Sequence, residues 1–128
     1  MASKYSDKPI GGPYAVAVIS EREVEDVLDS FRTKFNKTAA WKGVSTVNQC
    51  IKILKNYGYT VNRIRPARGS LRSWVNKHSR PRGTYFVRVG GHFLAVVKGC
   101  VHDQIQVAAP ENHWAYRKRI TNVFEISC

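Results

Sequence analysis

His92 and Asp103 are the two residues whose types and spacing could do chemistry together. Both fall in the stretch GTYFVRVGGHFLAVVKGCVHD, residues 83–103, where Gly90-Gly91 and Lys98-Gly99 read as tight connections between strands. With a turn at Lys98-Gly99, Val97 pairs with Cys100. His92, Leu94 and Val96 then share a sheet face with Val101, Asp103 and Ile105. Asp103 falls diagonal to His92, close enough to orient its imidazole. A base oriented by a carboxylate is two of the three parts of a nucleophilic triad. The same spacing also fits a histidine that simply opens an inner strand and an aspartate that ends a hairpin. In this register Cys100 and His102 lie on the opposite face and cannot serve His92.

The elements that would carry these residues follow from periodicity. The β-branched alternation of Tyr14 to Ile19 favours a strand, although Pro13 at a first helical position would suit a short helix. Ser20 with Glu23 three residues on reads as a capping box. Val24, Val27, Leu28, Phe31 and Phe35 make the apolar face of the helix that follows. Ser45 reads as the cap of a second helix, with Val47, Cys50, Ile51, Leu54 and Tyr57 inward and Gly58 as its left-handed stop. Tyr59–Ile64 alternates as a strand, and Ser70 caps a short helix containing Leu71, Trp74 and Val75. Four strands then follow at Thr84–Val89, His92–Val97, Cys100–Val107 and Arg119–Ile126. Helices first and an antiparallel sheet after them define an α+β domain.

The strand G-T-Y-x-V-R-V-x-x-H-x-x-A-V, its hairpin ending in V-x-D and the last strand RKRITNVFEI resemble a family of small bacteriophage proteins. That family carries a papain-like cysteine-peptidase signature akin to that of bacteriocin-processing peptidases. GVSTVNQCIKILKNYGYTV, within residues 43–62, is similar to the family's second helix and following strand. The resemblance implies a papain-like core and a phage origin, hence a place in the cytoplasm of the infected host cell. It also implies a catalytic Cys at the N-terminus of the first helix, a His opening a central strand and an Asp or Asn on the next strand. His92 and Asp103 match the last two. The stretch aligned with the nucleophile, Gly12-Pro13-Tyr14, has no cysteine, so the chain resembles a member that has lost its nucleophile.

Cys50 is the one interior cysteine that could stand in as a nucleophile, which would make the protein an active thiol hydrolase. Its place among Val47, Ile51 and Leu54 instead suits a buried thiol behaving as a small hydrophobe with a raised pKa. Ser45, at a helix start, is explained by capping. The three cysteines, Cys50, Cys100 and Cys128, fit neither a disulfide framework nor paired zinc knuckles. No phosphate-binding glycine loop and no metal set can be assembled, so neither cofactor nor metal is expected.

Charge is the other functional feature. The net charge is +12, and between Asp29 and Asp103 there is no acid but there are fifteen Lys and Arg. A domain this basic repels itself, and a polyanion partner is the usual compensation. Arg63, Arg65, Arg68, Arg72, Lys77, Arg80 and Arg82, with Tyr59, Trp74 and Tyr85 interspersed, are the residues expected to grip phosphates and stack on bases. Trp74 falls on the apolar side of its helix and reads as core. A solvated basic face without a partner is the plain alternative, and an acidic surface on a host protein is a further one.

With 128 residues and 43% hydrophobic composition, the chain is expected to form one domain over residues 11–128, with residues 1–10 as a flexible leader. No apolar leader and no run of ~20 apolar residues is visible, so a soluble, intracellular protein with no membrane partner is expected.

Overall fold

The computed structural model describes residues 9–64 and 69–128. It is an α+β arrangement with helices on both faces of one antiparallel sheet. The helices are α1 (Gly11–Ser20), α2 (Val24–Phe35), α3 (Val47–Asn56) and α4 (Leu71–His78). The strands are β1 (Thr60–Ile64), β2 (Thr84–Val89), β3 (His92–Val97), β4 (Cys100–His102), β5 (Val107–Ala108) and β6 (Ile120–Ser127). Their order in the sheet is β1-β6-β2-β3-β4-β5.

Alternation along the strands builds two cores. Phe86, Ala95, Phe124 and Ile126 face α1, α2 and α3, packing against Val16, Phe31, Cys50 and Leu54. Tyr85, Val87, Val89, Leu94, Val96 and Val101 face the other way, onto Leu71, Trp74 and Val75 of α4. The expected register holds: Val97 pairs with Cys100 across Lys98 and Gly99. Both turn residues have positive φ, 51° and 81°, as a two-residue hairpin requires.

Four local expectations are corrected. Tyr14–Ile19 is helical. Six of the ten α1 residues are buried, so no polar stripe marks the helical period. Ser20 closes α1 rather than capping α2. Its hydroxyl donates to the Val16 carbonyl at 2.7 Å, and Glu23 takes the N-cap position without a side-chain bond. Thr46, not Ser45, caps α3, in a reciprocal capping box with Gln49. The long strand Cys100–Val107 is broken into β4 and β5 by a turn at Asp103. Ser70 caps α4 as its spacing predicts, its hydroxyl accepting from the Ser73 amide at 3.2 Å, and Gly58 has the left-handed φ of 96° expected of a helix stop.

Ile10, placed in the leader by the sequence reading, is 2% exposed and packs with Leu28, Tyr14 and Trp41. A β-carbon on Gly43, at φ 113°, would lie 2.3 Å from the Ile10 side chain, so that glycine is required both for its turn and for this contact. No helix among the described residues is long and apolar enough to cross a membrane.

Candidate functional site

A cleft of about 360 Å³ opens where the start of α1 meets the start of β3. Gly11, Gly12, Ser45, His92, Gln104 and Trp114 line it. Two of the three large apolar residues exposed on the described surface, Val44 (63%) and Ile105 (47%), stand on its rim. The antiparallel register brings His92 here, because it opens β3 opposite Val89. Its ring meets the Trp114 indole edge-on, with centroids 4.9 Å apart.

Asp103 borders the same cleft but does not orient His92. No hydrogen bond or ion pair joins the two among the described residues. The reason is local: Asp103 is the corner of the β4–β5 turn. Its Oδ1 accepts from the amides of Ile105 (2.9 Å) and Gln106 (2.7 Å), and the Trp114 Nε1–H donates to Oδ2. His113 Nδ1 accepts from the Ala115 amide, which leaves Nε2 to carry the proton 3.6 Å from Oδ1. Burial pushes the Asp103 carboxyl up, but the neighbouring His113 imidazole and the donors of Gln106, Trp114 and Ile105 outweigh it and hold it below the ordinary value. The imidazole beside Asp103 is therefore His113, and Trp114 stands between the carboxylate and His92.

The thiol chemistry has no assembled nucleophile. Cys50 is fully buried in α3, and burial pushes its thiol up to about 12, against the opposing effect of a hydrogen bond with Ser45. Ser45 Oγ lies 3.4 Å from Cys50 Sγ, and no hydrogen bond joins Cys50 to His92 among the described residues. A β-carbon on Gly12 would stand 2.3 Å from Ser45 Oγ and 2.8 Å from Cys50 Sγ. A side chain at Gly12, the first residue of the stretch Gly12-Pro13-Tyr14, would therefore have to displace Ser45 or Cys50. No group of three or more His, Cys, Asp or Glu among the described residues could hold a metal ion.

The basic set is partly gathered. Arg63, Arg72, Lys77, Arg80 and Arg82 are exposed, while Arg65 and Arg68 lie outside the described residues. Arg63 pairs with Phe124 across the edge of the sheet, so it faces the α1–α3 side. The others surround α4. Tyr85 is buried with its ring edge-on to Trp74, and its hydroxyl accepts from the Arg80 amide, so neither aromatic is a stacking surface.

The sequence reading missed Arg117, Lys118 and Arg119. The Leu71 amide donates to the Lys118 carbonyl at 2.8 Å and the Arg72 amide to the Tyr116 carbonyl at 3.1 Å, while Ser70 bridges Arg119. These bonds dock the exposed triplet against the start of α4, beside Arg72. The signal was a plain run of three cations, read only as a strand entry. His113 and Trp114 were missed as well; a loop indole needs an acceptor, and Asp103 ends the long acid-free stretch.

No known family, curated protein or solved structure matches the chain.

Proposed function

We propose that this protein is a papain-like fold without its nucleophile, of phage origin, that works by binding a polyanion, nucleic acid foremost, on the α4 face. The observation that carries the reading is the docking of Arg117–Arg119 onto the start of α4. It joins the triplet to Arg72, more than forty residues away along the chain, in one surface with Lys77, Arg80 and Arg82. Two acids are near: Glu111 in the turn Pro110–Asn112 beside α4, and Glu125, which pairs with Arg80 at 3.8 Å. A cationic surface of this kind contacts phosphates without reading sequence. The papain-like part is supported by α1 packing on β3 with its first residues facing His92 across one cleft.

The test is fluorescence anisotropy with a labelled oligonucleotide, comparing the native chain with a variant carrying Arg117→Gln, Lys118→Gln and Arg119→Gln. The reading predicts a loss of about tenfold or more in affinity, with little dependence on base sequence. Undiminished binding by the triple variant would refute it. A chain that ignores oligonucleotide but binds an acidic host protein would transfer the surface to a protein partner.

A further inference from the structure

On the other face of the sheet, Arg88 points away from α4. It pairs with Phe93 and Asn122 in the sheet and belongs to the side covered by α1 and α3. A pocket of about 380 Å³ opens there, lined by Ser45, Thr46, Val47, Asn48, Arg88 and Phe93. No carboxylate lines it, and no carboxylate pairs with Arg88 among the described residues. The Arg88 Nε is buried and has no hydrogen-bond partner among the described residues. A buried cationic donor without an acceptor is destabilising unless an anion satisfies the group.

The rest of the pocket is suited to that anion. Thr46 Oγ1 accepts the Gln49 amide, which leaves its hydroxyl proton free to donate outward. The Val47 and Asn48 amides, in the first turn of α3, have no intrahelical acceptor. Guanidinium, hydroxyl and first-turn amides together match the tetrahedral oxygens of a phosphate. The geometry points to a binding site for a phosphate monoester between Arg88 and the start of α3. It is a second anion site, separated by the sheet from the α4 surface and independent of it.

The experiment is titration of the isotope-labelled full chain with inorganic phosphate, with ionic strength held constant by chloride. The Arg88 side-chain Nε–H resonance and the Val47 and Asn48 amides should shift together and saturate. Arg88→Met, which keeps much of the aliphatic stem, should weaken that response about tenfold or more. Failure of these three resonances to move in the native chain would overturn the site, whatever the variant's stability. Changes confined to Arg72, Lys77 and Arg117–Arg119 would overturn it equally. A mononucleotide and an oligonucleotide with and without a terminal phosphate then identify the source. Displacement of inorganic phosphate by the mononucleotide alone assigns a small ligand, and displacement by the end-phosphorylated strand assigns a nucleic-acid terminus.

Discussion

Asp103→Asn separates the role of this carboxylate in the fold from a role in chemistry. The native carboxylate accepts from Ile105, Gln106 and Trp114, with His113 Nε2 at 3.6 Å. Asparagine has one acceptor oxygen. If that oxygen keeps the two turn amides, the new NH₂ faces the Trp114 N–H; turned around, it faces the amides. Either orientation sets donor against donor at a site only 6% exposed, where water cannot readily intervene. Losing one charge-assisted bond and leaving one buried donor unmet should cost about 2–3 kcal/mol at neutral pH. Urea unfolding would read this as a lower midpoint with unchanged slope.

The pH dependence carries a second check. The folded carboxyl is held below its ordinary value. Its stabilisation is therefore complete above the unfolded pKa of about 3.9 and is lost as pH falls through the folded value. The gap between native and variant should be constant from pH 7 down to about pH 5 and narrow in acid. A difference below about 0.5 kcal/mol at neutral pH, or a gap that ignores acid, would refute the assignment.

Further outcomes follow from the same geometry. Gly12→Cys, which would put a thiol in the stretch Gly12-Pro13-Tyr14, should destabilise the chain by about 1–3 kcal/mol through overpacking against Ser45 and Cys50; a thermal melt unchanged from the native chain would contradict this. Iodoacetamide at neutral pH should label exposed Cys100 and Cys128 in the native chain and reach Cys50 only after unfolding. Intact-mass analysis counts the adducts, and a third adduct on native protein would revive thiol chemistry. Thr46→Ala should cost about 1 kcal/mol by removing the α3 capping box, while Ser45→Ala should leave that cap intact. Equal losses in the two urea midpoints would contradict the observed cap.

Much of the fold could be read from local signals, and the failures share a cause. The β3–β4 register was legible because Lys98-Gly99 admits the positive φ values of a tight hairpin. The start of α4 was legible because Ser70 had no competing role. Ser20 and Ser45 misled because each has the right chemistry for a cap but is used elsewhere, by Val16 and by Cys50. α1 was ambiguous because burial on most sides erases the period that distinguishes helix from strand.

The site was half legible. The spacing brought both His92 and Asp103 to one cleft, yet it could not show a tryptophan from a later loop entering between them. Nor could any window of sequence show that Arg117–Arg119 lie against α4, since backbone bonds between distant segments make that surface.

The most direct test of the central claim is the salt dependence of oligonucleotide binding. A duplex neutralised by about five of the α4-face cations should show a log–log slope near −4.5, or roughly a 500-fold fall in affinity between 50 and 200 mM salt. The triple Arg117, Lys118 and Arg119 variant should flatten that slope by about 0.9 for each cation removed. Binding whose affinity does not change with salt, or a slope the variant leaves unaltered, would contradict the account.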